Sequence, residues 1–302
     1  MTPAVEAKGL SRRYRVGWWG SKTGLADTDL SVPPGEGLAL IGPNGAGKST
    51  LLLLLAGLRQ PSAGTIRICG LDSRQPGARA KLGIASESVR LPGRWRTVDL
   101  LQHCGRLCGM DRGEAWERAA DLLDRLLLSA VALNRVDQLS AGQRSRVGLA
   151  AAMLHRPSVL LLDEPLAGLD PATTTAVLEV LVEERQRGAA MIVATHRLSD
   201  LSTACDRVAR VDDGELQRLG PTAQVLTHIR TRIVYTLPIG SSEPEHGTLV
   251  ANAHGIRARV ASTGRRDLVI AEIQDAGGTI LQVQPLLDRL GASNVDAEET
   301  LA

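Results

Sequence analysis

The segment from residue 37 to residue 58, GLALIGPNGAGKSTLLLLLAGL, constrains the fold more than any other part of the sequence. It reads as an apolar strand, a glycine-rich loop and an apolar helix. Residues 42–49, GPNGAGKS, fit the pattern G-x-x-x-x-G-K-[ST]. Glycines let backbone N–H groups curve around a phosphate, and the N-terminus of the following helix adds partial positive charge. A plain glycine turn is the alternative, but the flanking strand and helix favour a phosphate-binding loop.

The residues of this loop have separate expected roles. Lys48 would reach the β- and γ-phosphates of a nucleotide, the hydroxyl of Ser49 would bind Mg²⁺, and Thr50 would support the phosphate contacts. The predicted phosphate-binding residues are Gly42, Pro43, Asn44, Gly45, Ala46, Gly47, Lys48, Ser49 and Thr50. By itself the loop does not distinguish kinases, GTPases, motors and transporters.

A second apolar segment ends in two carboxylates. Residues 159–164 read VLLLDE, which predicts a buried parallel strand with Asp163 and Glu164 at its C-terminal end. Open α/β sheets bind their ligands at that end. We expect Asp163 to hold Mg²⁺ through water and Glu164 to polarise the water that attacks the γ-phosphate. An acidic turn that caps a strand is the alternative, and the presence of the Lys48 loop argues against it.

A third apolar segment ends in a histidine. Residues 189–196, AAMIVATH, predict a strand that finishes at His196. A lone histidine in such a place is more often a surface residue or a hydrogen-bonded core residue. Here the strand follows a helix of suitable length after Glu164, so we expect His196 near the γ-phosphate. Lys48, Glu164 and His196 are therefore the catalytic candidates.

These segments, in this order, resemble the nucleotide-binding domain of ABC ATPases. The matching motifs are residues 42–50, LSAGQ at 139–143, VLLLDE at 159–164, GLD at 168–170 and TH at 195–196. The resemblance implies an α/β fold with a phosphate-loop NTPase core of ABC type. An antiparallel β subdomain and a helical subdomain at about residues 88–155 would complete a domain spanning 1–220. It also implies ATP and Mg²⁺ as cofactors, with Ser49, Glu87 and Asp163 as metal ligands.

The resemblance gives the LSAGQ segment a role in a second subunit's site. In ABC proteins this motif of one subunit faces the phosphate loop of another, and ATP lies between them. Ser140 and Gly142, with Gln143 beside them, would bind the γ-phosphate of the partner's ATP, and Asp170 would lie across the interface. Ala141 stands where the family often has glycine, and we expect function to survive this added methyl group.

Two parts of the family pattern are less regular here. Tyr14 matches the aromatic residue that stacks on adenine, but the segment between Tyr14 and Gly42 looks longer than usual and contains Trp18 and Trp19. Either tryptophan is an alternative stacking residue, or an exposed anchor or partner contact. Glu87 stands where the family usually has a glutamine that contacts Mg²⁺. A carboxylate can bind Mg²⁺, but it adds negative charge and donates no hydrogen bond while ionised.

Residues 95–138 show apolar positions at helical spacing. In the family this helical subdomain helps to form the cleft that receives a short helix of the membrane subunit. Residues 90–98, RLPGRWRTV, lie at that cleft, and Trp95 between Arg94 and Arg96 is a candidate contact. A solvated loop is the alternative. A nucleic-acid surface is the weaker hypothesis, because the chain is nearly neutral.

The sequence pattern changes near Pro221, and a small α+β domain is predicted for residues 221–302. The expected strands are 232–237, 256–261 and 279–284, the expected helices are 266–277 and 285–292, and 238–248 reads as a loop. This domain resembles, by shape and place only, the C-terminal extension of many bacterial export ATPases. A structural or dimer-stabilising module is the preferred interpretation, because no catalytic cluster is visible in it.

Composition restricts the remaining function classes. The 302 residues hold 35 Lys+Arg against 33 Asp+Glu, a net charge of +2, which gives no general attraction to nucleic acid. No apolar run approaches the ~20 residues of a membrane span, and the first ten residues lack the core of a signal peptide. Cys69, Cys104, Cys108 and Cys205 are interpreted as reduced, mostly buried thiols. We therefore expect a cytoplasmic protein held at the inner face of the membrane by its partner.

The sequence predicts an ATP-hydrolysing subunit that dimerises with a second copy of itself around two ATP. It would power transport, more specifically export, through separate polytopic membrane permease subunits, without nucleic acid as a partner. One alternative makes the chain the catalytically weaker half of a heterodimer, which Glu87 motivates. The other is a soluble ABC ATPase of DNA repair or translation. The transported cargo is not encoded in this chain.

Overall fold

The computed structural model describes residues 2–16, 20–86, 88–228, 230–238, 241–253 and 256–286. The chain divides into two compact units between Arg218 and Leu219. In chain order, the strands of the first unit are β1 (Val5–Val16), β2 (Gly20–Val32), β3 (Gly37–Ile41), β4 (Ala63–Ile68), β5 (Leu71–Asp72), β6 (Leu82–Ala85), β7 (Val159–Asp163), β8 (Ala190–Ala194), β9 (Arg207–Asp212) and β10 (Glu215–Pro221). Its helices are α1 (Lys48–Leu55), α2 (Pro76–Arg79), α3 (Thr97–Leu107), α4 (Arg112–Arg125), α5 (Ala141–Met153) and α6 (Pro171–Gln186).

The central sheet of the first unit positions the site. Its strand order is β10-β9-β3-β8-β7-β6, and the pairs β9–β3, β3–β8, β8–β7 and β7–β6 are all parallel. All residues of β3 and β8 are buried, as is β7 up to Leu162. Near-continuous apolar strands of this kind belong to sheets that are covered on both faces. Since the strands are parallel, β3, β7 and β8 end at the same edge, where ligands bind.

A second, antiparallel sheet has the strand order β2-β1-β4-β5. Strand β1 pairs with both β2 and β4, so that Val5 lies opposite Val32 on one side and Ile68 on the other. All three of these side chains are buried, and they belong to the same apolar core as the central sheet. The predicted antiparallel β subdomain thus corresponds to residues Val5–Asp72, interrupted by β3 and α1.

Helix α1 joins the two sheets. Beyond its first turn, where Ser49 is exposed, all residues of the helix from Leu51 to Leu55 are buried. A helical segment that is apolar on every side must be surrounded by protein. The loop that precedes α1 is consequently held on a helix that is packed into the core.

Helices α3, α4 and α5 form the helical region, with single 3₁₀ turns at Ser129–Val131 and Val136–Gln138. The helical pattern that the sequence carries beyond residue 125 is interrupted. Helix α4 ends at Arg125, because Leu127 adopts a left-handed conformation with φ of 55°. The amides of Leu127 and Leu128 close this turn on the carbonyls of Asp124 and Leu123.

The second unit consists of α7 (Thr222–His228), β11 (Arg230–Thr236), β12 (Thr248–Ala253), β13 (Ile256–Ser262), α8 (Thr263–Asp275) and β14 (Thr279–Leu286). Its sheet has the order β12-β13-β11-β14 and is antiparallel throughout. A small core of Ile233, Tyr235, Ala261, Val269 and Ile273 lies between the sheet and α8.

Two expectations for this unit were wrong. Strand β12 is absent from the sequence prediction. The expected loop at 238–248 includes Thr248, and no turn residue marks where that loop ends and a strand over 249–253 begins. The helix expected at 285–292 does not begin at Pro285, which lies in β14 opposite Thr231. Strand β14 is at the edge of the sheet, where a proline without an N–H group is tolerated. Residues 287–292 lie outside the described part of the chain.

Within the described residues, none of the helices combines the length and apolar character needed to cross a membrane.

Candidate functional site

The phosphate-binding loop connects β3 to α1 as the sequence predicts. Gly47 is the N-terminal cap of α1 and has a φ of 115°, which strongly favours glycine. A side chain on Gly42 would collide with the carbonyl group of Val211 in β9. The turn after β9 supports the loop from the same side, because the amide of Gly214 donates to the carbonyl oxygen of Ala46 at 2.8 Å. The loop is therefore shaped by the packing around it.

Lys48 points into this loop. Its Nζ donates to the carbonyl oxygens of Gly42 at 2.7 Å and Pro43 at 3.0 Å, and the side chain is buried. Burial lowers the pKa of Lys48, and the carboxylates of Glu164 and Asp163 act in the opposite direction. A desolvated ammonium group at the mouth of a loop of backbone amides is suited to bind an anion.

Asp163 and Glu164 end β7, as expected. The Asp163 carboxylate accepts a hydrogen bond from Ser86 at 3.2 Å, which links it to the end of the neighbouring strand β6. Ser49 is exposed in the first turn of α1. Carboxylate and hydroxyl oxygens are the donors that Mg²⁺ prefers. Glu87, the third predicted metal ligand, lies outside the described residues.

Glu164 and His196 are in direct contact. Nε2 of His196 lies 3.1 Å from Oε1 of Glu164, and the His196 amide donates to Oε2 at 3.3 Å. The Glu164 amide donates to the carbonyl oxygen of Ala194 at 2.9 Å, which ties the ends of β7 and β8 together. Burial raises the pKa of Glu164, while His196 and Lys48 oppose that rise. The structure thus brings together the three catalytic candidates at the end of adjacent parallel strands.

The LSAGQ segment forms the start of α5. Ser140 is the N-terminal cap, and its hydroxyl accepts from the Gln143 amide at 3.2 Å. The Gln143 side chain accepts in turn from the Ser140 amide at 2.9 Å, which completes a capping box. Gly142 lies within the first turn of the helix. The N-terminal turn of a helix is an anion-binding element, so this predicted phosphate contact has the required local structure.

Asp170 is the N-terminal cap of α6. Its carboxylate accepts from the Thr173 amide at 3.0 Å and from the Thr173 hydroxyl at 2.7 Å. These bonds hold the pKa of Asp170 below its usual value. The residue is exposed, and its predicted place across a subunit interface remains a prediction.

Tyr14 lies close to the phosphate loop. Its hydroxyl is 3.3 Å from Oγ1 of Thr50, and the guanidinium groups of Arg12 and Arg59 lie 4.9 Å and 5.5 Å from its ring centre. The ring packs over Gly24, where any side chain would collide with it. Adenine stacking on Tyr14 remains a prediction, and Trp18 and Trp19 lie outside the described residues.

A cleft of about 650 Å³ separates the end of β7 from the helical region. Ser86, Asp163 and Glu164 line one wall, and Ala141 and Gly142 at the start of α5 line the other. The cleft extends to a loop fixed by backbone bonds, in which Val136 and Asp137 donate to the carbonyl oxygens of Trp95 and Gly93 at 3.0 Å and 2.9 Å. Arg90 and Leu91 belong to the same wall.

The loop beside the cleft is basic and partly aromatic. Trp95 is 41% exposed and packs against His103, with ring centres 4.8 Å apart. Arg90, Arg94 and Arg96 are exposed, and in the described part of the chain none of their guanidinium groups has a hydrogen-bond or ion-pair partner. Within the described residues, these three cations and the exposed ring of Trp95 are a surface feature that the packing does not use.

A phosphate loop after β3, two carboxylates after β7 and a histidine after the intervening β8 define a phosphate-loop nucleotide hydrolase. Residues 25–167 match the family model described as ABC transporter. The lipoprotein-releasing system ATP-binding protein LolD of Hyphomonas neptunium is 34% identical over 72% of this chain and 97% of its own length. The spermidine/putrescine import ATP-binding protein PotA of Thermobifida fusca is 31% identical over 98% of this chain and 77% of its own.

A solved structure of MJ0796, a dimeric ATP-binding cassette bound to ADP and Pi, superposes with a TM-score of 0.66 at 25% identity. The match covers 71% of this chain and 97% of that one. The chain therefore belongs to the ATP-binding family of ABC transporters, and it is an ATPase of that class. The predictions of an α/β phosphate-loop fold of ABC type, of the family and of ATP as the nucleotide are confirmed.

Sequence reasoning missed three side chains that organise the site. Ser86 binds Asp163, and Arg197 donates to the carbonyl oxygen of Leu166 at 3.2 Å. Arg146 donates to the carbonyl oxygens of Leu126 at 2.7 Å and Leu127 at 3.1 Å. Arg146 and Arg197 lie close to the LSAGQ and TH motifs in the sequence, and this position was a signal that they could belong to the site. Their acceptors lie far away in sequence, so the pattern alone could not identify them.

Proposed function

We propose that this chain is the ATP-hydrolysing subunit of an ABC transporter that dimerises with a second copy of itself around two ATP. The observation that carries the proposal is that one compact unit contains two elements whose local structure is suited to bind phosphate. One is the loop that holds Lys48, and the other is the α5 start at Ser140–Gln143. The phosphates of one nucleotide need only the first element. The second element would bind the phosphate of a nucleotide held by a second subunit.

The residues of one chain divide the work of hydrolysis. Lys48 and the amides of its loop bind the phosphates, and the bound nucleotide is held with Mg²⁺ by Ser49 and Asp163. Glu164 polarises the attacking water, which requires its ionised form. His196 keeps the Glu164 carboxylate oriented, since both its ring and its amide face that group. Ser140 and Gly142 of the partner close the site from the γ-phosphate side.

A membrane permease is the proposed partner beyond the dimer. The cleft of about 650 Å³ has the size and apolar lining to accept a short helix. Arg90, Arg94 and Arg96 at its margin favour a segment that carries carboxylates, and Trp95 supplies an aromatic contact. Through this partner the protein would be held at the cytoplasmic face of the membrane.

Export is the proposed direction of transport. Its support is the resemblance that the sequence of the C-terminal domain suggests, by shape and place only, to the C-terminal extension of export ATPases. The relatives do not decide this point, because LolD is named as part of a lipoprotein-releasing system and PotA as an import protein. The cargo is set by the permease. In the same second unit, a structural or dimer-stabilising role is proposed.

The test is co-purification from the membranes of the host. A tagged Glu164→Gln variant is incubated with ATP in solubilised membranes and isolated, with Lys48→Ala as the matched variant that should not retain ATP. Stoichiometric recovery of a polytopic membrane protein supports the transporter, and its identity gives the cargo class and direction. Recovery of soluble proteins or nucleic acid alone would instead support the soluble ABC ATPase.

ATP turnover by the purified chain separates the homodimer from the heterodimer. A homodimer predicts turnover with a Hill slope above one, abolished by Lys48→Ala and by Glu164→Gln. A second, different ATPase in the pull-down, together with slow non-cooperative turnover of the chain alone, would favour the weaker half of a heterodimer. The specific observation behind that alternative is Glu87 in place of glutamine.

A further inference from the structure

Ser86 lies directly after β6, at the edge of the central sheet where β7 also ends. Ala85 is paired with Leu162 in the two parallel strands, so Ser86 and Asp163 follow at neighbouring positions. The Ser86 hydroxyl donates to Oδ2 of Asp163 at 3.2 Å. Among the residues that the structure describes, no other donor bonds the Asp163 carboxylate.

The strand that carries Ser86 is fixed on both sides. A Cβ atom on Gly83 would lie 2.0 Å from the carbonyl oxygen of Ala152, so β6 approaches α5 as closely as only a glycine allows. The amide of Val159, the first residue of β7, donates to the carbonyl oxygen of Lys81 at 3.0 Å. Backbone contacts with α5 and β7 therefore set the position of β6, and the sheet itself holds Ser86 in place.

The turn after Ser86 orients its hydroxyl group. The hydroxyl oxygen accepts from the Ser88 amide at 3.3 Å, and a hydroxyl has a single proton, which is directed to Asp163. The amide of Val89 donates to the Ser86 carbonyl oxygen at 2.9 Å, so the turn closes on the same residue. The Asp163 carboxylate thus has a donor on Oδ2 and keeps Oδ1 for another partner.

The charges near Asp163 make this neutral donor useful. Burial is the main cause of the lowered pKa of Lys48 and of the raised pKa of Glu164, but the Asp163 carboxylate opposes the first shift and adds to the second. Asp163 therefore lies near an ammonium group that attracts it and a carboxylate that repels it. Without a donor on Oδ2, its carboxylate would be free to rotate towards Lys48. The Ser86 hydroxyl resists that rotation and adds no charge to the site.

We propose that Ser86 is a positioning residue for Mg²⁺, because it holds the Asp163 carboxylate in the orientation that receives the metal bound with ATP. The proposal rests on the proposed function, which assigns Asp163 and Ser49 to Mg²⁺. Hydrogen bonds that orient a metal-binding group are a general feature of metal sites, and their loss commonly lowers metal affinity by about 10–100-fold. Since Asp163 is expected to hold Mg²⁺ through water, the lower end of this range applies to Ser86.

The experiment measures how Mg²⁺ changes ATP binding in the Glu164→Gln background, so that ATP is not consumed. ATP affinity is determined in EDTA and across a titration of free Mg²⁺, with Ser86, with Ser86→Ala and with Ser86→Thr. Ser86→Ala should leave the affinity in EDTA within about twofold and raise the free Mg²⁺ concentration at half-effect about tenfold. Ser86→Thr keeps a hydroxyl and should restore most of the original midpoint. The electron paramagnetic resonance spectrum of Mn²⁺ bound with ATP should change in Ser86→Ala and be restored in Ser86→Thr.

Ser88→Ala is the matched control. Ser88 contacts Ser86 through its backbone amide, so removal of its exposed side chain keeps that hydrogen bond and the turn. Its Mg²⁺ midpoint should equal that of the parent chain. An unchanged midpoint in Ser86→Ala would overturn the proposal. An equal shift in Ser88→Ala would also overturn it, since the turn and not the Ser86 hydroxyl would then be responsible.

Asp163→Ala tests whether the effect passes through Asp163. In this background Ser86→Ala should not shift the midpoint further, because the carboxylate that Ser86 positions is gone. A full additional shift would contradict the proposal, since Ser86 would then bind the metal itself or act through another residue. In the Glu87→Ala background the effect of Ser86→Ala should persist. Its disappearance there would mean that Ser86 acts through Glu87 and not through Asp163.

The same measurements separate this proposal from the proposed function. If the Glu164→Gln chain does not bind ATP, or binds it without any influence of Mg²⁺, the proposed function itself fails. ATP binding with a normal Mg²⁺ dependence that is indifferent to Ser86 would leave that function standing and contradict only the role of Ser86.

Discussion

At the scale of single residues, Glu164 combines a strained backbone with a half-buried carboxylate. Its φ of 50° lies in the left-handed region that non-glycine residues rarely adopt, at a cost of about 1–3 kcal/mol. Two hydrogen bonds maintain this conformation. The Glu164 amide donates to the carbonyl oxygen of Ala194, and the His196 amide donates to the Glu164 carboxylate. Strain of this kind persists only where the surroundings fix it. Here it aims the carboxylate towards the edge of the sheet at which the Lys48 loop also lies.

The raised pKa of Glu164 predicts a pH dependence of stability. The folded state binds the Glu164 proton more tightly than the unfolded state, whose carboxyl titrates near 4.5. The free energy of unfolding therefore contains a contribution that is complete below that pH and is lost as pH rises through the folded-state pKa. Glu164→Gln removes the ionisation and should flatten the decline. Urea unfolding across this pH range measures both slopes.

A change at an exposed glutamate provides the comparison. Glu117 lies on the surface of α4. Glu117→Gln should leave the decline of the free energy of unfolding with rising pH as it is in the wild type. Equal pH slopes for the wild type and Glu164→Gln would show that burial of Glu164 does not penalise its charge. Turnover should show the opposite trend to stability, increasing as Glu164 ionises.

At the scale of elements, the starts of α5 and α6 use the same device, a short polar cap whose side chain accepts from a backbone amide in the first turn of the helix. Ser140 caps α5 and Asp170 caps α6. These positions were predicted as ligands through the family resemblance. Their capping roles are visible in the sequence itself, since Ser140 is followed three residues later by Gln143. Each residue thus has a structural role that a test of its functional role must separate.

Two substitutions at Ser140 make this separation. Ser140→Ala removes the cap and should lower the free energy of unfolding by about 1 kcal/mol. Ser140→Asp retains a good cap, so stability should remain near that of the wild type, but it places a negative charge where the partner's phosphate is expected. ATP-dependent dimerisation, measured by light scattering, should fail in Ser140→Asp. Normal dimerisation of that variant would contradict the role of Ser140 at the partner's ATP.

Helices α4 and α6 are joined by a buried ion pair. Glu184 is 4% exposed and accepts from Arg118 at 2.7 Å, and Arg187 binds the same carboxylate. Glu184→Ala would leave Arg118 with Asp121 as its remaining carboxylate partner and would remove the buried hydrogen bonds to a charged group, which should cost about 1.5–3 kcal/mol. The neighbouring Glu183 is largely exposed in its pair with Arg125, so Glu183→Ala should cost no more than about 1 kcal/mol. Chemical denaturation measures the free energy of unfolding of the two variants. Similar losses would contradict the claim that the buried pair contributes more to stability than the exposed one.

The elements that the sequence predicted well are those with a local signal. The Lys48 loop, β7 and β8 have glycine or apolar patterns that extend over consecutive residues. The contacts of Arg146 and Arg197 depend on acceptors brought close only by the fold, so no local pattern announces them. Strand β12 was missed because Thr248–Ala253 is short and follows a polar loop. Pro285 was misassigned because proline starts helices as readily as it occupies an edge strand.

At the scale of the whole molecule, the two elements for which phosphate binding is proposed are placed differently in the fold. The Lys48 loop is built into the core through α1, whereas the Ser140–Gln143 turn belongs to the helical region beyond the cleft. The ion pair between Arg118 on α4 and Glu184 on α6 holds that region to the rest of the first unit. Ala141 and Gly142 of this turn line the cleft, so a partner that fills the cleft would contact the LSAGQ turn directly.

The basic loop beside the cleft gives the last prediction. Replacing Arg90, Arg94 and Arg96 by glutamine should abolish co-purification with the permease, because it removes three exposed cations of the loop that carries Trp95, which have no partner among the described residues. Turnover of the purified chain should stay unchanged, since none of the three contacts Lys48, Glu164 or His196. Raising the salt concentration should weaken the wild-type complex in the same way, as screening shortens the reach of surface charges to below about 10 Å.

A matched triple change at the exposed Arg106, Arg112 and Arg156 alters the net charge equally and should leave the complex intact. Equal loss of the permease in both triple variants would show that net charge, and not this loop, determines the association.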